Sequence, residues 1–213
     1  MAMTSSLNFD RVARIYRWAE FLSLGPLLQK TRTHFLPKLS QARHALVLGD
    51  GDGRFTERLL EGNPRIDVEA VDISGTMLTL LRTRCSAHDD RLTTTQSNAL
   101  HLERPSAADL IVTHFFLDCL TQGEVDQLTT QISRRCPQGT LWLLSDFAVP
   151  AGWLALPARL YIRALYFAFR ALTNLRVQQL PDPQSALTRE GFICRERYTQ
   201  LGGLIYTELW QRE

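Results

Sequence analysis

Two ionisable side chains and one glycine-spaced turn are the parts of this sequence best placed to do chemistry. In "THFFLDCL", His114 and Asp118 follow an apolar run. A histidine titrates nearest neutrality, so His114 is the better general-base candidate of the two. The plainer reading makes it a backbone-contacting histidine beside a ligand, with Phe115 and Phe116 lining either a pocket or the core. Upstream, "ALVLGDGDGRFTERLL" sets Gly49, Gly51 and Gly53 between an apolar run and a helix-like pattern. Glycines so placed let backbone approach a ligand closely, and the helix start offers it free N–H groups. Asp72, in "AVDIS", lies about 20 residues further on, where a carboxylate at a strand end accepts both hydroxyls of a ribose. Its competing role is to compensate the helix that starts at Ser74.

The spacing narrows the ligand. A dinucleotide fingerprint, G-x-G-x-x-G, needs a sixth-position glycine, and that position is Arg54. No G-x-x-x-x-G-K-[ST] occurs either, so nothing is built to cradle a pyrophosphate. An NAD-binding module is thereby disfavoured. A nucleoside without a pyrophosphate remains, which points to S-adenosylmethionine.

The elements needed to position these residues alternate along the chain. "HALVLG" is a short continuous apolar run, as a buried parallel strand shows. "FTERLLEG" reads as a helix closed by Gly62, "IDVEAVDIS" as a strand, and "SGTMLTLLRTRCSAH" as a helix capped by Ser74. "RLTTTQSNA", "ADLIVTHFFL" and "GTLWLLSDF" are further strands, the last two separated by the helix "EVDQLTTQISRRC". Strands separated by helix-length segments make a parallel, doubly wound sheet. "GFICRERYTQLGGLIYTELWQR" breaks the rule, since Gly202-Gly203 joins two strands as an antiparallel hairpin. Before the sheet, Phe9–Leu24 has helical spacing and Pro26 opens a second short helix. One more helical segment falls between the fifth strand and the hairpin.

Bulk properties set broad limits. A chain of 213 residues, 45% apolar and 22% charged, suits one globular domain with a large core. A net charge of +2, with no run of like charge, gives no ground for nucleic-acid binding. Cys85, Cys119, Cys136 and Cys194 show no metal-ligand spacing and read as small buried hydrophobes in a reducing cytoplasm. Neither a secretory signal nor a membrane span is read, so a cytoplasmic location is expected.

Four stretches make the sequence recognisable: "FDRVARIY", "LVLGDGDG", "VDISGTML" and "SNALHL". On these the chain resembles the class I S-adenosylmethionine-dependent methyltransferases, within them the branch that includes the ubiquinone and menaquinone C-methyltransferases. The resemblance implies an α/β, Rossmann-like doubly wound sheet of seven strands, mostly parallel with an antiparallel C-terminal hairpin. One domain would fill residues 1–213, with a helical N-terminal extension over 1–40 and a helical cap on the acceptor side over 147–190. S-adenosylmethionine would be the methyl donor and S-adenosylhomocysteine the product. The Gly49–Gly53 loop, Asp50 included, would wrap the methionine part, with Tyr16 closing over its carboxylate. Asp72 would hold the ribose, and Ile73 and Met77 would pack on the adenine. Asn98 would accept from the adenine amino group while the Ala99 N–H meets a ring nitrogen, and His114 would border the cofactor. Three positions depart from the pattern: Val47 replaces an acid before the first glycine, Asn98 an aspartate, and Arg17 an acid. Asp50, Asp52 or water would then meet the ammonium group. A methyltransferase-like protein that binds the cofactor without turnover is the alternative class.

The late segment "WLALPARLYIRALYFAFRALTNLR" mixes large apolar residues with Arg159, Arg163, Arg170 and Arg176. A cap helix over the sheet is its ordinary explanation; a lid over a lipophilic acceptor or a peripheral membrane contact is the sharper one. The acceptor expected from so wide an apolar arc is a hydrophobic small molecule, quinone-, phenol- or lipid-like.

Overall fold

A computed structural model describes residues 24–102, 107–173 and 179–213, the side chains of 166–173 excepted. Tyr16, Arg17 and nearly all of the helix expected over Phe9–Leu24 lie outside the described residues. In chain order the elements are α1 (Gly25–Thr33), β1 (His44–Leu48), α2 (Arg54–Gly62), β2 (Asp67–Asp72), α3 (Gly75–Arg84) and β3 (Leu92–Gln96). They continue with β4 (Leu110–His114), α4 (Gln122–Ser133), β5 (Leu141–Phe147), α5 (Ala155–Thr173), α6 (Pro183–Arg189), β6 (Phe192–Gln200) and β7 (Ile205–Arg212). The seven strands form one sheet in the order β3-β2-β1-β4-β5-β7-β6. β1 to β5 run parallel, whereas β7 pairs antiparallel with both β5 and β6. This is the doubly wound sheet with a terminal hairpin that the sequence predicts.

Both faces of the central strands are covered, which is why β1 and β4 read as unbroken apolar runs. Leu46, Leu48, Ile111, Trp142 and Leu144 pack with Val125, Leu128 and Ile132 of α4 and with Ala186 and Leu187 of α6. On the other face Ala45, Val47, Val112 and Leu143 pack with Phe55 and Leu59 of α2 and with Phe35 and Leu39. Val47, directly before Leu48, the last strand residue ahead of the glycine loop, is part of this second core.

Local chemistry sets the helix starts. Ser74 Oγ accepts from the Met77 N–H at the head of α3, as expected of its N-cap. Thr121 and Glu124 close a reciprocal capping box on α4. The late helical segment is two helices, not one, because Asp182 and Pro183 start a fresh helix at α6, with Asp182 Oδ1 accepting from Ser185 N. The hairpin turn is also longer than a two-residue Gly-Gly loop. A 3-10 turn over Leu201–Gly203 makes it, with Leu201 itself at φ 50°. Of the four cysteines, Cys85 and Cys136 are buried and Cys119 is partly so, but Cys194 is exposed because β6 forms the sheet edge.

β1 has β2 on one side and β4 on the other, so the chain order reverses there. The crevice beyond the carboxyl ends of β1 and β4 is the sheet's topological switch point, where doubly wound sheets bind ligands.

Gly53 tests the packing of this edge. Its φ is +81°, and a Cβ on it would lie 2.7 Å from Leu81 Cγ and 3.0 Å from Leu81 Cα. Gly53→Ala is expected to lower unfolding free energy by about 1–3 kcal/mol in urea titration. Gly62→Ala, with open space around the new methyl and no positive φ, should be neutral or stabilising in the same assay.

Candidate active site

The three glycines between β1 and α2 all have positive φ: 67° at Gly49, 63° at Gly51 and 81° at Gly53. Their surroundings separate their roles. A Cβ on Gly49 would strike the Phe116 ring at 2.5 Å, and one on Gly53 would strike Leu81. Both glycines are therefore required by the protein's own packing. A Cβ on Gly51 meets no atom of the described residues within 4 Å, so of the three glycines Gly51 borders space that those residues leave open at the switch point.

The two aspartates between them also divide. Asp52 Oδ2 accepts from Arg54 Nε at 3.1 Å and Arg84 Nη2 at 2.9 Å, tying the loop to α3. Asp50 Oδ2 accepts from the Thr56 amide at 2.9 Å and the Thr56 hydroxyl at 2.7 Å. Asp50 Oδ1 is buried without a protein partner among the described residues. Burial pushes the Asp50 carboxyl up to about 6, against the charge of Arg32, which favours the ionised form.

Asp72 ends β2 beside this loop. Its Oδ1 accepts from the Ser74 amide at 2.8 Å. Burial raises its carboxyl above the ordinary range, opposed by the backbone amides of Ser74, Gly51 and Ile73. Asp72 thus supports the start of α3 and holds the Gly51 backbone at the same time. Next to it Ile73 is 55% exposed, a large apolar side chain left beside the crevice, and Met77 is half-buried one turn into α3. Asn98 caps a short 3-10 turn, its Oδ1 accepting from Leu100 N at 3.0 Å, and Ala99 is buried behind it.

His114 ends β4. Its Nδ1 lies 2.8 Å from Ser145 Oγ, which bonds Thr207 Oγ1 at 2.8 Å, so hydroxyls from two neighbouring strands fix the ring. The ring also meets Phe55 edge-on at 4.4 Å. Its Nε2 is buried with no protein partner among the described residues. Burial, and then the charge of Arg32, push this imidazole well below 6.5, so it stays neutral at physiological pH. Phe115 follows at φ 52°, a left-handed conformation that costs a non-glycine residue about 1–2 kcal/mol, and Arg32 lies over its ring at 5.1 Å. Backbone strain of this kind clusters at functional sites.

Asp118 is not brought to His114. Successive side chains of a strand point to opposite faces, so Ser145 shares a face with His114 while Asp146 takes the other. There the Asp118 amide donates to Asp146 Oδ2 at 3.1 Å, and both carboxyls are buried. Burial raises Asp118 to about 6 and Asp146 well above the ordinary range, the two sharing a site that disfavours double ionisation. Sequence reasoning missed Asp146 and Arg32. Asp146 sits at the end of an apolar strand, where a carboxylate is out of pattern; Arg32 gives no comparable signal on a short polar helix.

Comparison with known proteins bears on this arrangement. Residues 45–139 match a methyltransferase domain. That span runs from β1 through the glycine loop, Asp72, His114 and α4 to the turn before β5. The whole sheet superposes on an O-methyltransferase family protein from Burkholderia thailandensis, with a TM-score of 0.74 over 100% of this chain and 64% of that one, at 17% identity. A family 2 O-methyltransferase from Planctomyces limnophilus, solved with apigenin, gives 0.69 over 94% and 62% at 18% identity. An N-methyltransferase, NodS from Bradyrhizobium japonicum, solved with S-adenosylhomocysteine, gives 0.63 over 87% of each chain at 14% identity. The chain thus spans less than two thirds of the two O-methyltransferases. No curated protein matches it significantly by sequence. The fold is the α/β fold of these methyltransferases.

The buried imidazole gives a pH signature. Unfolded His114 takes up a proton near 6.5, and folded His114 does so only well below that. Its contribution to stability is therefore complete above 6.5 and is lost as pH falls through that value. Urea unfolding between about pH 7 and pH 5 should lose stability more steeply for the wild type than for His114→Gln.

Proposed function

We propose that this protein transfers a methyl group from S-adenosylmethionine to a hydrophobic small-molecule acceptor. The observation that carries the reading is the convergence, at the switch point, of the Gly51 backbone, the ribose-spaced Asp72 and a buried Asp50 oxygen, with Gly51 open and that oxygen unpartnered among the described residues. These groups suit the cofactor part by part. Gly51 backbone would lie against its methionine portion and Asp72 would accept from the ribose hydroxyls. Asp50 Oδ1 would accept from the ammonium group, a role left to Asp50 because Asp52 is committed to Arg54 and Arg84. Arg32, whose charge already acts on Asp50, suits the carboxylate; Tyr16 would close over it, as the resemblance implies. Ile73 and Met77 would wall the adenine. Asn98 keeps a second lone pair for the adenine amino group beside the bond to Leu100 N, and the Ala99 N–H would meet a ring nitrogen.

The bound cofactor supplies an already activated methyl group, so the chain's task is to align the acceptor and exclude water. A base is needed only where the acceptor must lose a proton. Both candidates are buried: burial lowers the basicity of His114, and Asp118 lies with Asp146 away from His114, so neither is assigned as a base. His114 Nε2 is then a polar contact at the cofactor edge. The helical region after β5 would cap the acceptor. The apigenin bound by the Planctomyces neighbour supports an acceptor of small aromatic character; a quinone precursor, as the C-methyltransferase resemblance implies, belongs to the same class.

Label from methyl-labelled S-adenosylmethionine should enter a phenol, quinone-precursor or lipid fraction; label entering only RNA or protein would refute the acceptor. Asp72→Ala should weaken S-adenosylhomocysteine binding by about 1.5–3 kcal/mol for each charge-assisted bond lost, and wild-type affinity in calorimetry would remove that role. The ammonium favours ionised Asp50, so cofactor affinity should fall as pH drops through about 6. Asp50→Asn should flatten that part of the pH profile.

A further inference from the structure

Helix α5 turns an unusual face to solvent. Trp153, in the 3-10 turn just before it, is 85% exposed, and Leu156 and Leu160 are 67% and 59% exposed. Their spacing of three and four residues puts them on one stripe. Arg159 and Arg163, both exposed, fall along one border of that stripe, since each residue advances the helix by about 100°. Only Ala158 and Ile162, one turn apart, are fully buried among the described side chains of the helix. Over its described side chains the helix therefore buries fully only this narrow seam and leaves Leu156 and Leu160 in water.

Two further observations give this face a partner. From 147 to 181 the sequence holds four arginines, Arg159, Arg163, Arg170 and Arg176, and no acidic residue. In a chain whose net charge is only +2, that is a local concentration of positive charge. The hairpin tip adds an apolar group from a separate element. Leu201 is held at φ 50° and is 45% exposed, and a Cβ on the adjoining Gly202 would lie 2.5 Å from Leu154 Cδ1. The tip thus abuts the start of α5.

We propose that this face docks on an anionic lipid bilayer, with Trp153, Leu156, Leu160 and Leu201 entering the headgroup boundary and Arg159 and Arg163 meeting lipid phosphates. An amphipathic helix with basic residues beside tryptophan and leucine lies in the interface plane. No helix among the described residues is long and apolar enough to cross the membrane, so the contact is peripheral. The strand that precedes the helix, β5, ends at the same carboxyl edge as β1 and β4. Docking would bring that edge toward the bilayer, from which a lipophilic molecule could enter without crossing water.

The test is sedimentation of the full chain with phosphatidylglycerol/phosphatidylcholine vesicles against phosphatidylcholine alone, without cofactor or turnover. Binding to the anionic vesicles, reversed by high salt, is expected. Leu156→Glu/Leu160→Glu should weaken it at least about tenfold and Arg159→Glu about fivefold, with melting temperatures unchanged because these side chains lie in solvent. Vesicles should also blue-shift tryptophan emission in the wild type but not in Trp153→Phe. Failure to bind anionic vesicles, or equal binding by the double variant, overturns the proposal. So does a salt-insensitive dimer in sedimentation velocity that Leu156→Glu/Leu160→Glu dissociates, which would make the occupant a second copy of the chain. None of these outcomes bears on cofactor binding at the glycine loop.

Discussion

The chain has five residues, Gly49 to Gly53, in which to leave β1 and enter α2, and three of them must take left-handed backbone. That constraint organises the carboxyl edge of the sheet. A turn so tight leaves amide groups without helical or ladder partners, and the neighbouring acids bind them or fasten the loop. Asp50 closes the first turn of α2 through Thr56, Asp52 fastens the loop to Arg84 of α3, and Asp72 anchors it to β2. Phe116 and Leu81 press on the glycines at each end, so the loop has little freedom to relax. What stays open is the middle, at Gly51.

Electrostatics then sort the polar groups around that opening. Asp50 and His114 are both buried, and the charge of Arg32 acts on the proton affinity of each. Burial raises the Asp50 carboxyl and Arg32 opposes it, whereas at His114 burial first and Arg32 second both favour the neutral ring. The result is a site that presents an oxygen and a nitrogen without partners among the described residues, near the Arg32 charge. A zwitterionic ligand complements such a site better than a pyrophosphate does, in keeping with the missing fingerprint glycine. Across the sheet, Asp118 and Asp146 form a second buried acidic site with its own protonation, separated from the first by the alternation of side chains along β5.

Most of the fold was legible in the sequence because buried parallel strands leave unbroken apolar runs and because a helix start can carry its own signal, as at Ser74. The terminal hairpin was legible from Gly202-Gly203, though not the third residue of its turn. The split of the late helical region at Asp182 and Pro183 was missed, since periodicity alone does not register a restart. At the site, the glycine spacing and Asp72 could be read, but spacing could not choose between Asp50 and Asp52. That choice depends on Arg84, 32 residues from Asp52 along the chain. Nor could the pairing of Asp118 with Asp146 be read, because it joins residues 28 positions apart through a register that only the folded sheet defines.

The central claim is that this opening takes a nucleoside carrying a charged amino acid and not a dinucleotide. Isothermal titration of the wild-type chain with S-adenosylhomocysteine and, in parallel, with NAD tests it most directly. Saturable one-site binding of S-adenosylhomocysteine and no heat from NAD is the predicted result. Binding of NAD with none of S-adenosylhomocysteine would contradict it.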